Sequence, residues 1–475
     1  MALIRRVLYD FPRWIQGLDR PHDTSLEVDT EGEPQPGDPT ETFWTQELTS
    51  AKGENITWTF SEPVEYGQFV TGDYFVIGPV VVTDISRPNV ADYGVGRDGS
   101  EVNPKPWTAH GYDDRPTGYS ASLNMANSLP YTMGVNESLI SSISRRPEII
   151  DPRSSRRPAL QVAAILTCLE NVPPVGSFRP PYCGTDKPIY SSVGMRTDFL
   201  YHPDITLSTG AGSVMFSLPW IDHTQGWQGD DVHPADNMPN YGGTMARQTS
   251  LAGVRLINNA PTAGKMELLR NFVQMGIDNY EIVKEAAKDP NFSWSWGWVG
   301  GSIGVGRKLP ILFAGIALES QTLLDVATDF NTMFWFQEDG QTFYLTQADR
   351  DMTYDPVNCS GSSLFCHPGH YDDIPLGTAV WAERAHRSRT TGYNYLPGNV
   401  NSYRQISYPV FIGAALCVRW LGIESAWNYD PFVDFVDYAY SQDYGMNSGY
   451  VEQIVLDQYQ AYRDATPLNV LGTWA

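Results

Sequence analysis

The sequence predicts an α+β protein, in which an N-terminal antiparallel β-rich region is followed by an α-helical region. In the first half, short Val- and Ile-rich runs alternate with long stretches of Pro, Gly, Asn and Ser. This pattern is typical of antiparallel sheets with large loops. Beyond about residue 240, apolar residues instead repeat at helical spacing. We therefore predict an N-terminal extension over residues 1–54, a β-rich region over 55–239 and an α-helical region over 240–475.

The predicted strands begin with residues 55–60, where apolar and polar side chains alternate as in a half-buried strand. Residues 74–85 are rich in Val and Ile, and Gly78-Pro79 interrupts them as at a sheet edge or bulge. Further apolar runs cover residues 160–169 and 214–220. These runs together predict a β-sandwich.

The predicted helices begin with residues 244–257, where apolar side chains recur every three positions. Residues 265–287 carry a broad apolar stripe, and Pro310 suits the first turn of a helix that runs to residue 318. Further helical patterns cover residues 322–330, 376–384, 407–421, 431–440 and 450–463. We expect antiparallel hairpins, and the long predicted loop over 337–375 is a candidate wall of a functional site.

The chain is strongly acidic. It carries 55 Asp and Glu against 32 Lys and Arg, a formal net charge of −23 over 475 residues. Nucleic acids and anionic membrane surfaces require a basic face, so neither is an expected partner. No run of about 18 apolar residues predicts a membrane span. The sequence gives no indication of the oligomeric state.

The cellular compartment is only weakly indicated. Residues 1–16 lack the apolar stretch of a secretory signal. If a leader has been removed, we expect an extracellular or periplasmic location. Cys359 and Cys366 lie in a short polar segment. A local disulfide, two free thiols, and a zinc site shared with His367 and His370 all fit this spacing.

Aromatic residues make up 12% of the chain, and many lie in polar, Gly-rich surroundings such as residues 294–298 and 393–395. Large aromatic side chains fill β-rich cores. They also line grooves in which flat sugar rings stack. Both roles fit the sequence.

Four stretches carry a resemblance to a known group. They are residues 66–76 (YGQFVTGDYFV), 306–315 (GRKLPILFAG), 338–344 (EDGQTFY) and 427–431 (WNYDP). They resemble segments of secreted bacterial proteins from polysaccharide-degrading organisms. The layout is similar to that of polysaccharide lyases built on an (α/α) toroid with β-domains, of the alginate and glucuronan lyase type. Ser302 departs from the His that we would expect after Gly300-Gly301.

The resemblance implies β-elimination on a uronic-acid polysaccharide. A lyase removes the proton at C5, neutralises the neighbouring carboxylate and expels the oxygen at C4, so Tyr, His and Arg should converge. Residues 381–404 concentrate these types: His386, Tyr403 and Arg404 are candidates for catalysis, and Arg389 and Tyr395 for substrate binding. The alternative is that the cations simply suit the end of a helix.

A second patch covers residues 294–308 (WSWGWVGGSIGVGRK). Trp296 offers a stacking face, and Arg307 and Lys308 supply charge just before a helix, so the patch is a candidate subsite for a substrate carboxylate. A structural Gly-rich turn is the alternative. A phosphate-binding loop is not expected, because neither a strand nor a Gly-Lys-Ser/Thr ending accompanies the glycines.

Further candidates are more dispersed. Tyr241 ends the patch over residues 220–247, whose acids and two His are of the type that binds Ca²⁺. No EF-hand or HExxH spacing is present, so we expect no cofactor and no catalytic metal, with a structural Ca²⁺ as the alternative. Residues 367–373 form a similar His- and Asp-containing loop. Glu338 is a candidate substrate-binding residue, and with a distant partner it also suits glycoside hydrolysis.

Three functions therefore follow from the sequence. The first is a lyase on an acidic, alginate-like polysaccharide, with His386 and Tyr403 transferring protons, Arg404 and Arg307 holding the carboxylate, and aromatic rings shaping the sugar groove. The second is a glycoside hydrolase on a similar toroid. The third is a non-catalytic glycan-binding or virion-associated protein.

Overall fold

The computed structural model of the chain describes fourteen segments. They are residues 43–47, 55–87, 97–106, 109–116, 118–145, 159–207, 216–222, 242–288, 304–330, 336–353, 371–382, 404–442, 446 and 448–473. All structural statements below concern these residues.

Two sheets form the β-rich part. The first contains β1 (Phe43–Glu47), β2 (Asn55–Phe60), β5 (Val80–Ser86) and β7 (Tyr131–Met133), in that order. The second contains β3 (Tyr66–Gln68), β4 (Tyr74–Ile77), β9 (Val162–Leu169), β8 (Glu137–Ile143) and β6 (Ser100–Val102), in that order. β1 lies within the predicted N-terminal extension and pairs with β2.

The strand directions correct one expectation, that of a purely antiparallel region. All ladders in the first sheet are antiparallel. In the second sheet, β4 and β9 run parallel, with Tyr74 opposite Leu166 and Ile77 opposite Leu169. A parallel pair requires a long crossover, and the long stretch of chain between these two strands, which includes β5 to β8, supplies it.

β9 lies in the central layer of the described structure, and all eight of its residues are buried. Val162, Ala164 and Leu166 belong to the core between the two sheets, whereas Ala163 and Ile165 belong to the core shared with the helices. A strand buried on both faces reads as a continuous apolar run rather than an alternating one. The sheets and helices therefore form three packed layers.

The described helical part contains six longer helices and five short ones. The longer helices are α1 (Gly242–Leu256), α2 (Met266–Ala287), α3 (Lys308–Ala317), α8 (Arg404–Leu421), α10 (Asp430–Ser441) and α11 (Gln453–Tyr462). The short helices are α4 (Gln321–Leu324), α5 (Val326–Asp329), α6 (Gln337–Gln341), α7 (Gln347–Thr353) and α9 (Glu424–Trp427). The combination of these helices with the two sheets confirms the α+β class.

Contacts fix the relative direction of α2 and α3. Gly276 on α2 lies so close to α3 that a Cβ there would be 2.2 Å from the carbonyl oxygen of Pro310. Further along α2, Asn279 Nδ2 donates to the carbonyl oxygen of Arg307 at 3.4 Å. Residue numbers rise along α2 as they fall along α3, so the two helices are antiparallel.

α8 lies between helices of opposite direction. Ser250 Oγ on α1 donates to the carbonyl oxygen of Val410 at 2.7 Å, and Gly253 lies against Cys417, so α1 and α8 run parallel. The rings of Tyr408 and Phe435 are 6.0 Å apart, and the rings of Phe411 and Phe432 are 5.4 Å apart. α10 therefore runs antiparallel to α8.

Several predicted elements differ in the structure. Residues 376–384 were expected to be helical, yet Ala379–Trp381 forms strand β11, which pairs with β10 (Thr342–Tyr344). Both strands lie within or beside the predicted loop over 337–375, which also contains α6 and α7. The expected strand over 214–220 is absent from residues 216–220, the part of it that the structure describes. Residues 379–381 are extended because they pair with β10, which is distant in sequence. No local sequence pattern indicates this pairing.

Other expectations concern membranes, metals and cysteines. Within the described segments, no helix is long and apolar enough to cross a membrane. These segments also contain no group of three or more His, Cys, Asp or Glu arranged to hold a metal ion. Cys168, Cys183 and Cys417 are buried free thiols. Cys359, Cys366, His367 and His370, for which a disulfide, free thiols and a zinc site all fit the sequence, lie outside the described residues.

Candidate functional site

Ten residues were predicted to form the site, and the structure describes four of them. Arg307, Lys308 and Glu338 lie together in the interior, whereas Arg404 is partly buried at the start of α8. The other six lie outside the described residues: His386, Tyr403, Trp296, Tyr241, Tyr395 and Arg389. The Glu338 cluster, defined as Asp222, Arg307, Lys308, Glu338 and Asp339, is therefore the part of the site whose geometry is known.

Arg307 is a buried cation with an internal partner. Its Nε donates to Asp222 Oδ2 at 2.7 Å and its Nη1 to the carbonyl oxygen of Val305 at 2.6 Å. Nη2 lies 3.4 Å from the sulfur of Met245 in the first turn of α1. The guanidinium group thus ties three segments together, and its predicted contact with a substrate carboxylate stays a prediction.

Lys308 is equally enclosed, with no exposed surface. Its Nζ lies 2.5 Å from both Asp339 Oδ2 and the carbonyl oxygen of Trp427, and 4.4 Å from the centre of the Trp427 ring. Trp427 Nε1 in turn donates to Asp339 Oδ1 at 3.0 Å. A buried charge requires such a set of partners.

Glu338 differs from the other charged members of the cluster. Its side chain is buried, and Oε2 has no hydrogen-bond partner among the described residues. Burial, followed by the charge of Asp339, raises its pKa to about 7, although Lys308 and Arg307 oppose the shift. At neutral pH a large fraction of Glu338 therefore carries a proton, which is the state that a general acid requires.

Local backbone geometry places these side chains. Glu338 and Asp339 lie in the first turn of α6, which follows Phe336 in extended conformation. Gln337 Oε1 accepts from the backbone N–H of Gly304 and so links α6 to the segment before α3. Gly306 there has a φ of +88°, which favours glycine, and a Cβ would lie 2.6 Å from Thr249 Oγ1.

The ends of several segments meet at this cluster. Asp222 is the last described residue before residues 223–241, and Gly304 is the first after 289–303. Ala382 precedes residues 383–403, and its backbone N–H donates to the carbonyl oxygen of Gln341 on α6 at 2.8 Å. Asp222, Gly304 and Ala382 thus all lie close to the Glu338 cluster.

A groove adjoins the cluster through Trp427. It has a volume of about 270 Å³ and is lined by Tyr344, Val418, Arg419, Glu424, Trp427, Tyr429, Asp430, Val433 and Asp434. Tyr344 OH donates to Asp434 Oδ2 at 2.5 Å. Burial and this acceptor raise the pKa of Tyr344 above its usual range. The groove is aromatic and acidic, so it suits a neutral ligand that carries both hydroxyl groups and an apolar face.

The sequence-based site did not include Asp222, Trp427, Tyr344 or Asp434. Asp222 lay in a patch considered for metal binding, and Trp427 lay in a stretch that carried the resemblance. Tyr344 and Asp434 lie on separate elements and 90 residues apart, so no spacing signal could have linked them.

Comparisons with protein-family models, curated proteins and solved structures found no match for this chain. Its function is therefore inferred from the chemistry of its own residues.

Proposed function

We propose that this chain is a carbohydrate-active enzyme that cleaves glycosidic bonds in a polysaccharide, with Glu338 protonating the departing oxygen. The observation that supports this role is the buried Glu338 carboxyl, which has a pKa of about 7 and an unpaired Oε2. Acid catalysis of this bond requires a carboxyl group that keeps its proton near neutral pH.

The first candidate reaction is β-elimination on a uronic-acid, alginate-like polysaccharide. Elimination needs a proton for the departing oxygen at C4, and Glu338 would supply it. His386 and Tyr403 remain the proposed groups for removal of the C5 proton, and Arg404 the proposed carboxylate ligand. The hydrogen bond from the Ala382 N–H to the Gln341 carbonyl oxygen on α6 supports this assignment.

The second candidate is hydrolysis of a neutral glycan, which two observations favour. Arg307 and Lys308, the described cations of the cluster, are each paired with an internal carboxylate. The adjoining groove carries Glu424, Asp430 and Asp434, which repel a uronate carboxylate but accept hydrogen bonds from sugar hydroxyl groups.

The helix directions support a toroid-like arrangement as part of the proposal. α1 runs parallel to α8, whereas α2 is antiparallel to α3 and α10 is antiparallel to α8. A ring of parallel inner helices, each backed by an antiparallel outer helix, would produce these pairings. We propose that the helical part follows this plan.

Product analysis tests the proposal. The protein is incubated with acidic and neutral polysaccharides, and both ultraviolet absorbance from unsaturated ends and release of reducing ends are followed. Unsaturated ends identify the lyase, and reducing ends without unsaturation identify the hydrolase. Glu338→Gln should lower either activity at least about 100-fold, whereas Glu267→Gln on the exposed side of α2 should have no effect. Retention of the polysaccharide without product would instead indicate the non-catalytic glycan-binding protein.

A further inference from the structure

A second polar cavity lies between the sheet and α2. It is lined by Thr71, Asp73, Arg179, residues 216–220, Asn271, Gln274, Met275 and Asp278, and it is partly open to solvent. Its volume of about 10 Å³ accommodates one group of the size of a water molecule or a hydroxyl.

Two side chains that line this cavity have polar atoms without partners. Trp220 and Gln274 are 5% and 6% exposed, and neither Trp220 Nε1 nor Gln274 Oε1 has a hydrogen-bond partner within the described segments. Gln274 Nε2 donates to the carbonyl oxygen of Arg179 at 3.0 Å, so the amide orientation is fixed and Oε1 is the unused acceptor. Two residues of the cavity lining thus carry one unused donor and one unused acceptor, each costly to bury unpaired.

The charges beside the cavity restrict the ligand. Arg179 Nε donates to Asp73 Oδ2 at 2.8 Å, and Nη2 donates to Asp278 Oδ2 at 2.5 Å. Two carboxylates thus face a single guanidinium group, and the combined negative charge disfavours an anionic ligand. Burial raises the pKa of Asp278, and the positive charge of Arg179 partly offsets this rise.

We propose that this cavity binds a single uncharged hydroxyl group of a sugar, which accepts from Trp220 Nε1 and donates to Gln274 Oε1. A hydroxyl is the one-atom group that both donates and accepts. A carboxylate has no proton for Gln274, an ammonium group has no lone pair for Trp220, and an amide exceeds the volume. The Phe216 ring, centred 4.2 Å from the Trp220 ring, adds an apolar wall beside the hydroxyl.

The position of the cavity favours a sugar as the source of the hydroxyl. Trp220 lies two residues before Asp222, which pairs with Arg307 in the Glu338 cluster. On α2, Asp278 contacts Arg179 while its neighbour Asn279 contacts Arg307. The lining of the cavity is therefore linked to the Glu338 cluster, and the choice of a sugar as the ligand rests on the proposed function. Binding here requires no bond cleavage, so the inference goes beyond the proposed function.

The test uses the indole N–H resonances of the ¹⁵N-labelled full chain. Trp220→Phe identifies the Trp220 resonance by its disappearance. Methyl glucoside, glycerol and acetate are then titrated separately into the wild-type protein. We expect methyl glucoside to shift the Trp220 resonance and acetate to leave it unchanged. The resonances of Trp58 and Trp420 should stay fixed, because their Nε1 atoms already donate to Ser141 Oγ and the Tyr462 carbonyl.

Variants complete the test. Gln274→Met should weaken the response to methyl glucoside about fivefold to tenfold, whereas Gln453→Met at an exposed position should not. Tighter binding of the glucoside than of glycerol supports the sugar, and equal affinity would overturn it in favour of any small polyol. No shift at Trp220 with either probe would overturn the site, leaving a water-filled cavity.

The same titration in Glu338→Gln protein separates this inference from the proposed function. The Trp220 shift should persist there even though cleavage is lost. If no polysaccharide is cleaved but the shift is present, the proposed function fails and the hydroxyl site stands. If Gln274→Met does not fold, the wild-type titration still decides.

Discussion

Lys308 and Asp339 form a buried ion pair, with Nζ and Oδ2 2.5 Å apart, and Trp427 contacts both partners. The pair joins the start of α3 to the first turn of α6. It therefore fixes the element that carries Glu338.

Removal of one partner of this pair should destabilise the protein strongly, because the other charge would be left buried and unpaired. We expect Lys308→Met to lower the free energy of unfolding by about 3–5 kcal/mol. Denaturant-induced unfolding followed by circular dichroism measures this change. The double variant Lys308→Met/Asp339→Leu should be less destabilised than the single variant. If the double variant is instead destabilised by the sum of the effects of Lys308→Met and Asp339→Leu, the two residues are not coupled.

The stability of the protein should depend on pH through Glu338. Its folded pKa of about 7 lies above the ordinary value of 4.5, so the native state holds a proton that the unfolded state releases. The stability that this proton contributes is present below pH 4.5 and is lost as pH rises through 7. The shift corresponds to about 3 kcal/mol.

Glu338→Gln should remove that part of the pH dependence. The difference in unfolding free energy between wild type and variant should therefore change by about 3 kcal/mol between pH 4.5 and 7. Glu281, whose pKa is also raised to about 7 by burial, is unaltered in both proteins and cancels in the comparison. A constant difference across this range would contradict the assignment. If Glu338 is the general acid that we propose, activity should fall as pH rises above about 7.

The contact between α2 and α3 depends on Gly276. A Cβ there would lie 2.2 Å from the Pro310 carbonyl oxygen and 2.7 Å from the Ala314 Cβ. Gly276→Ala should therefore lower the free energy of unfolding by about 1–3 kcal/mol. Gly264→Ala is the matched control, since nothing lies within 4 Å of its Cβ. The control should be neutral or stabilising by up to about 1 kcal/mol, and equal effects would refute the packing argument.

Local patterns predicted the parts of the fold that local interactions decide. The apolar stripe over 265–287 corresponds to α2, and the apolar run over 160–169 contains β9. The helix expected over 376–384 was wrong because Trp381 pairs with Thr342 on β10. That pairing joins residues 39 positions apart, and no periodicity within either segment indicates it.

The candidate site was predictable in its composition but not in its pairings. Cations are scarce in an acidic chain, so Arg307 and Lys308 were noticed and assigned to substrate. The structure gives each an internal carboxylate, Asp222 or Asp339, supplied by a distant segment. Spacing along the chain contains no information about such partners. The raised pKa of Glu338 likewise depends on burial, which folding alone creates.

Under the proposed function, the aromatic groove beside Trp427 should contribute to polysaccharide binding through Tyr344, a residue that is 39% exposed. Loss of a stacking ring should weaken binding about tenfold, so Tyr344→Ala should raise KM by that factor with little change in kcat. Tyr344→Phe keeps the ring and removes only the hydroxyl that contacts Asp434, so its KM should stay close to that of the wild type. Tyr201→Ala, at an exposed site away from the groove lining, is the control. Affinity electrophoresis in polysaccharide gels measures binding independently of turnover. Unchanged mobility of Tyr344→Ala relative to wild type would exclude the groove from the binding surface.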